Sequence, residues 1–362
     1  MATISFARGV PAPECLPVEE LADCARAALE RDGRTILSYG PSPGYGPLRE
    51  WIAARHGVEP GRVLLTNGSL QGLVFLAQQL AHGRRVLVER PTYDRPLKIL
   101  RELGAEIVPL RCDDDGLDPD ALERELGRGE TPAFLYVIPT FQNPSGRTLP
   151  LERRRRIVEL AAAHGLLVLE DDPYGLVRFE GEPLPSLFEL SGGETAYSSS
   201  FSKTISPGLR VGWFVLSDAL LRQLEATATS TYITPVLLGQ ATVHEFVSRG
   251  RFEPNLERVR ELLRVRRDAM AAALDRELPD VRRTRPEGGY FLWLELNAVD
   301  AAELLPRAEQ AGVTFVKGAD FGGRPETLRL AYSFVSPDEI AEGVSRLAAA
   351  LLTNRASAPL GV

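Results

Sequence analysis

The chain has 362 residues, 44% hydrophobic, 25% charged and 7% aromatic, proportions that exclude a disordered or fibrous protein. That length exceeds what one hydrophobic core serves well, so two lobes with a cleft between them are expected. A net charge of -7, with Lys and Arg scattered among the acids, offers no basic face to nucleic acid, and apolar runs such as 134–138 and 166–169 fall far short of the roughly 20 residues that cross a bilayer.

The first residues, MATISFARGVPAPE, show no apolar stretch followed by a small-residue cleavage site, so a cytoplasmic protein is expected. Cys15, Cys24 and Cys112 are an odd set without C-x-x-C spacing; they suggest packing residues rather than disulfides, and no metal site is expected. From Glu50 to Thr227, helical periodicity alternates with short runs that are apolar on both faces, the pattern of a buried parallel sheet. The predicted strands are 62–66, 85–89, 106–109, 133–138, 166–170, 195–199 and 210–216, with helices at 69–80, 95–103, 119–126 and 151–164 between them. Strands alternating with helices in this way predict a doubly wound α/β layer. After Pro254 the texture changes to a long amphipathic helix over 256–278, with Val259, Leu262, Leu263, Met270 and Leu274 near one face. A strand 289–295, a helix 301–310, strands 313–316 and 327–331 and a closing helix 337–352 complete a smaller α+β unit. The expected division is a large domain 39–254, with 1–38 and 255–362 forming the remainder; the tail from Asn354 to Val362 reads as frayed.

Ligands of open α/β sheets collect at the carboxyl ends of strands, so the polar residues that follow each apolar run carry the chemistry. One run ends in Glu170-Asp-Asp-Pro-Tyr-Gly175, and carboxylates at a sheet rim are costly unless a cation meets them. The next ends in Tyr197-Ser-Ser-Ser-Phe-Ser-Lys203, with Arg210 close behind, enough for one loop to hold a phosphate and an aldehyde. Asn67-Gly-Ser-Leu-Gln71 joins a strand to a helix whose first N–H groups are free to bind an anion, although a plain Ser N-cap looks the same.

The segment Ser200 to Gly212, S-F-S-K-x-x-x-x-G-L-R-x-G, resembles the lysine signature of the fold-type I pyridoxal 5'-phosphate enzymes, in the aminotransferase class I/II branch. Asn67-Gly-Ser-Leu-Gln, Pro91-Thr-Tyr, Asn143-Pro-Ser-Gly, Asp171-Asp-Pro-Tyr and Arg329-Leu follow in that family's order, so the likeness spans nearly the whole chain. It implies a large, mostly parallel sheet domain with a smaller α+β domain. Lys203 then forms the Schiff base and moves a proton at the substrate α-carbon. Asp171 keeps the pyridine nitrogen protonated, while Asn143 and Tyr174 donate to the ring's phenolic oxygen. Tyr93 lays its ring on the pyridine face. Ser69, Leu70, Gln71, Ser200, Ser202 and Arg210 bind the phosphate, joined by Tyr39 from a second subunit, which implies a homodimer. Arg329 forks the substrate carboxylate, and the backbone of Gly9 approaches the substrate. The Asn143–Pro144 bond is expected to be cis.

The closest likeness within the branch is to the 2-aminoadipate and kynurenine aminotransferase-like group. Its members usually begin with a helix carrying an Arg that reads the substrate side chain; this sequence starts after that helix, so no preference for aminoadipate is expected. Arg8 stands where a small residue is common, and either reads a polar or acidic side chain or pairs with acids on the solvent side. The activity implied is transfer of an amino group from an L-amino acid to a 2-oxo acid. Elimination, cyclisation or oxidation of an amino acid on the same cofactor is the alternative, and a regulator of the MocR type is disfavoured for want of a DNA-binding front domain.

Overall fold

The computed structural model describes residues 3–355. Of the tail expected to fray, 356–362 lies outside the described residues. The chain opens with a two-residue strand, β1 (Ile4–Ser5), and two helices, α1 (Val18–Ile36) and α2 (Gly46–His56). Strand and helix then alternate: β2 (Val63–Thr66), α3 (Ser69–Leu80), β3 (Arg85–Arg90), α4 (Asp94–Glu102), β4 (Glu106–Asp113), β5 (Gly116–Leu117), α5 (Pro119–Leu126), β6 (Phe134–Val137), α6 (Leu151–His164), β7 (Val168–Asp171), α7 (Leu187–Leu190), β8 (Ala196–Ser200) and β9 (Gly212–Val215). Three helices follow, α8 (Asp218–Tyr232), α9 (Leu237–Ser248) and α10 (Phe252–Glu277). The chain closes with β10 (Arg282–Arg283), β11 (Phe291–Glu295), α11 (Ala301–Gln310), β12 (Val313–Thr314), β13 (Val316–Lys317), β14 (Thr327–Ala331) and α12 (Pro337–Arg355).

The large sheet has the order β2-β9-β8-β7-β6-β3-β4-β5, and its centre, β8 through β4, is parallel. Period-two alternation explains why its strands are apolar on both faces. Val86, Val88, Phe134, Tyr136 and Leu169 pack on one side under α3, α4 and α8, while Leu87, Leu135, Val137 and Val168 pack on the other under α5 and α6. Because β9 is antiparallel to both β2 and β8, those two strands point the same way. The carboxyl ends of β2, β3, β6, β7 and β8 therefore share one edge with the amino end of β9. The small sheet, β10-β11-β14-β13, is antiparallel, and β1 pairs with β12, which returns the first residues to the small sheet's side.

Several boundaries differ from expectation for local reasons. The strand predicted from Arg210 begins at Gly212, because Arg210 takes a left-handed φ of 53° after a short turn at Pro207–Leu209. The strand predicted over 313–316 is two short strands broken at Phe315. Helix α10 starts at Phe252 and runs through Pro254, which sits in its first turn where no intrahelical N–H is needed. It thus crosses the boundary expected at 254. Its face packs as read: Val259, Leu263, Met270 and Leu274 are buried, in one core with α1, α2, α9 and the small sheet. Helices α1, α2, α8 and α9 were not expected. Among the described residues no helix is long and apolar enough to cross a membrane.

Candidate active site

At the shared edge of the large sheet lies a cavity of about 520 Å³, closed on its far side by β11 and β14. Gly9, Ser69, Leu70, Tyr93, Asn143, Asp171, Tyr174, Ser200, Ser202, Lys203, Arg210 and Arg329 all line it. These residues come from seven separate stretches of chain, and strand direction alone brings most of them together.

The Lys203 amine is part-buried and donates to the Gly9 carbonyl at 2.7 Å. Burial, with the Arg329 and Arg210 charges adding to it, pulls its pKa down to about 8. Gly9 is needed at this spot, since a Cβ there would stand 2.6 Å from the Phe291 ring. Asp171 ends β7, with Oδ2 accepting from the Tyr136 hydroxyl at 2.7 Å and Oδ1 buried without a partner. Burial raises its pKa to about 6, the hydrogen bond from Tyr136 opposes that, the neighbouring Asp172 adds to it and the nearby Ser198 hydroxyl opposes it. Tyr174 is buried, its phenol pushed far up by burial, and its ring packs 5.5 Å from Tyr290. Tyr93 caps α4 at the cavity wall, its phenol pushed up to about 12 by burial.

Arg329 projects from β14 with Nη1 donating to Asn143 Oδ1 at 2.8 Å and Nη2 to the Ala7 carbonyl at 3.0 Å; its Nε has no partner. Phe291 and Phe321 flank the guanidinium, 4.2 and 4.8 Å from it. Burial pulls its pKa to about 10, so it stays cationic at neutral pH. With the Asn143 oxygen committed to Arg329, its amide NH₂ remains free to donate. The Asn143–Pro144 bond is cis, as expected, and so is Arg90–Pro91.

At the opposite end Ser200 Oγ donates to Ser202 Oγ at 2.8 Å and accepts from the Ser202 N–H at 3.0 Å. Arg210 donates to the carbonyls of Asn67 and Pro207 at 3.1 and 3.2 Å. Its guanidinium lies flat against Gly68, where φ is +92° and a Cβ would sit 2.1 Å from Nη2. The first turn of α3, at Ser69 and Leu70, thus meets two hydroxyls and a guanidinium, a donor set suited to a phosphate dianion.

Two expected site residues lie elsewhere. The Gln71 N–H is spent on the Gly68 carbonyl at 3.1 Å and its side chain accepts from the Asn67 N–H, so it closes the turn instead of lining the cavity. Arg8 stacks on Phe334, 4.9 Å from the ring, and does not line the cavity. Tyr39, expected to act on a second subunit, is 80% exposed on the outer surface of its own chain. The cation expected to serve all three rim carboxylates serves at most one. Glu170 faces the opposite side of β7 and accepts from the Leu187 and Phe188 N–H groups, and Asp172 accepts from the Gly175 N–H and the Tyr197 hydroxyl. Conversely, Tyr136, Tyr290, Phe291 and Phe321 were missed. Tyr290 donates to the Lys203 carbonyl at 3.0 Å and so fixes the lysine's backbone. A signal existed for the pair 290–291 in Gly288-Gly-Tyr-Phe, where two glycines pack against Phe141; nothing in sequence marks Tyr136 apart from a buried phenol's need for a partner.

An amine of lowered pKa, an orphaned carboxylate oxygen and a phosphate cradle in one cavity fit pyridoxal 5'-phosphate, whose aldehyde, ring nitrogen and phosphate need those three groups. At the carboxyl edge of a doubly wound sheet they define a fold-type I pyridoxal-phosphate enzyme. The chain belongs to the class I and II aminotransferases, matching that family over residues 13–347. It is 43% identical over 358 residues to a 2-aminoadipate transaminase of Thermus thermophilus, covering 96% of this chain and 90% of the relative. The crystal structure of LysN, an alpha-aminoadipate aminotransferase of the same organism complexed with N-(5'-phosphopyridoxyl)-L-leucine, aligns with a TM-score of 0.93 at 42% identity, covering 98% of this chain and 94% of that one. A Pyrococcus horikoshii kynurenine aminotransferase aligns with a TM-score of 0.93 at 33% identity, over 98% and 92%. This protein is accordingly an aminotransferase that uses pyridoxal 5'-phosphate and moves an amino group from an L-amino acid to a 2-oxo acid.

Proposed function

We propose that Lys203 is the catalytic base, that Asp171 meets the cofactor ring nitrogen and that Arg329 binds the substrate α-carboxylate, with apolar and aromatic L-amino acids as donors. The observation that carries this reading is the pairing, in one cavity, of a part-buried amine with two orphaned charged groups, Asp171 Oδ1 and Arg329 Nε. Pyridoxal 5'-phosphate supplies an aldehyde that captures the amine and a cationic ring that draws electrons from the α-carbon. The chain supplies the rest. Arg329, held by Asn143 and the Ala7 carbonyl, orients the α-carboxylate as a two-pronged donor. Lys203, neutral in a large fraction near its pKa of about 8, takes the α-proton. Asp171 is ionised at neutral pH and offers its free oxygen to the ring N–H. Asn143 and Tyr174 donate to the phenolic oxygen, while Tyr93 covers the ring face. Ser69, Leu70, Ser200, Ser202 and Arg210 hold the phosphate.

Donor preference follows from the apolar lining beside Arg329, where Ala7, Phe291, Val316 and Phe321 lie. Among the relatives named above, LysN carries a leucine adduct and another is a kynurenine aminotransferase, which supports such donors, whereas LysN and the 2-aminoadipate transaminase are named for an acidic donor. At the rim Arg95 pairs only loosely with Asp94, at 3.7 Å, so 2-aminoadipate belongs in the same donor panel. The test is a panel of L-amino acids with 2-oxoglutarate or pyruvate, following the new amino acid formed. Leucine, phenylalanine and kynurenine are expected to exceed aspartate in kcat/KM by about tenfold or more; aspartate as the best donor overturns the preference.

A homodimer completes the reading. Leu37, Tyr39, Ile233 and Val236 are exposed apolar side chains, Gly40 abuts Leu237 and the Val236 N–H donates to Asn67 Oδ1, so this surface adjoins the phosphate-binding turn. Tyr39 of a second copy reaches the phosphate from there. A cytoplasmic place in amino acid biosynthesis fits the same reading, and light scattering on the purified protein tests the dimer.

A further inference from the structure

Asp171 can bind a ring nitrogen only if one oxygen points into the cavity while the carboxyl stays charged. Neither condition is met by the strand end alone. A carboxyl rotates about its last bond, and this one is fully buried. The constraint comes from the neighbouring strand. Tyr136 lies on β6, paired in parallel register with Leu169 of β7, so its side chain rises on the same face of the sheet as that of Asp171. Its ring is 1% exposed, packed among the apolar residues beneath α3 and α4, and its hydroxyl donates to Asp171 Oδ2 at 2.7 Å. One oxygen is thereby pinned toward the sheet, and the other, Oδ1, is left without a partner in a group that lines the cavity.

We propose that Tyr136 is a positioning residue of the active site, whose buried hydroxyl locks Asp171 so that its second oxygen is presented to the nitrogen of the cofactor ring. The proposal rests on the assignment of Asp171 to that nitrogen. Tyr136 itself does not line the cavity and touches no substrate. Its hydroxyl does two things at once: it satisfies an oxygen that would otherwise be a second orphan, and by donating it favours the carboxylate over the neutral acid. Packing alone does not account for a phenol here, because a phenylalanine fills the same apolar slot and leaves Asp171 Oδ2 unpartnered.

The test uses full-length protein freed of cofactor, titrated with pyridoxal 5'-phosphate and, in parallel, with the carbocyclic analogue in which the ring nitrogen is replaced by C–H. Binding is read by quenching of intrinsic fluorescence. Tyr136→Phe is expected to weaken pyridoxal 5'-phosphate by about tenfold, the scale of one hydrogen bond to a charged group. For the analogue it should change the Kd by less than about twofold, since no nitrogen remains to be met. Equal weakening of both ligands, or of neither, overturns the proposal, the first result showing a purely structural residue. Asp171→Asn separates this from the underlying assignment. If it leaves the affinity for pyridoxal 5'-phosphate unchanged, the placement of Asp171 at the ring nitrogen falls. If it weakens binding while Tyr136→Phe does not, only the role of Tyr136 falls. Should Tyr136→Phe fail to fold, Tyr136→Phe/Asp171→Asn removes the stranded charge. Titrated against Asp171→Asn, it is expected to show no further loss, and a further loss of about tenfold overturns the coupling.

Discussion

The two sides of strand β7 carry the same kinds of side chain and use them differently. On the reverse side, Glu170 accepts from two backbone N–H groups, and Arg154, 1% exposed, donates to the carbonyls of Leu149, Pro139 and Pro185 and to the Thr140 hydroxyl. Its four donor contacts bind loop to sheet. On the cavity side, Asp171 and Arg329 are equally buried, and each keeps a polar atom without a partner. Orphaned atoms occur elsewhere too, as at Gln240 Nε2 and His244 Nδ1. A smaller cavity on the reverse side is also lined by opposite charges, Arg154, Glu170 and Asp172, but each of these is hydrogen-bonded to the protein, whereas Asp171 and Arg329 both keep an orphaned atom at the active-site cavity. A buried unsatisfied group costs about 1–3 kcal/mol, a cost that a bound ligand removes.

That contrast can be broken most directly at Lys203. Lys203→Ala is expected to lower kcat by about a thousandfold or more and to abolish the violet absorbance band of the bound cofactor, while far-ultraviolet circular dichroism is unchanged. Arg329→Lys comes next, raising KM about ten- to a hundredfold for every donor because a point charge cannot replace a fork; steady-state kinetics across the panel checks it, and an unchanged KM places the carboxylate elsewhere. The rate at which cofactor-free protein captures pyridoxal 5'-phosphate should fall about tenfold per pH unit below 8 and level off above it. The neutral amine is the nucleophile and Lys203 loses its proton near pH 8, whereas an ordinary lysine would keep gaining rate past pH 10. Stopped-flow absorbance measures this. The smallest effect belongs to the reverse side. Glu170→Gln should lose about 1–2 kcal/mol of stability in urea unfolding, as one backbone N–H loses its acceptor, yet leave cofactor affinity within about twofold.

Much of the site was legible because its residues follow strands. Ser200 ends β8 and Ser202 and Lys203 follow it, Asp171 ends β7 and Tyr174 lies just beyond it, Asn143 comes after β6, and Ser69 after β2, so apolar runs and their polar followers locate them without a structure. Gln71 misled because a local pattern shows that a group is polar, not which neighbour has already taken its hydrogen bonds, and Arg8 because sequence does not show that Phe334 offers its guanidinium a ring to stack on. The long helix α1 escaped because it has no side-chain cap and its register breaks at Asp32, where φ is -128°.

By itself the sequence pointed to the class of chemistry through its resemblance to a known family, carried by the Ser200 to Gly212 segment and the motifs that surround it in that family's order. It also determined the doubly wound layer, because period-two burial is written residue by residue. Only the tertiary structure decided which carboxylate of Glu170, Asp171 and Asp172 faces the cavity, and that Tyr136, from a strand more than thirty residues earlier, holds it there. Strand parity separates neighbours onto opposite faces, and hydrogen-bond saturation depends on partners that the chain brings together only when it folds.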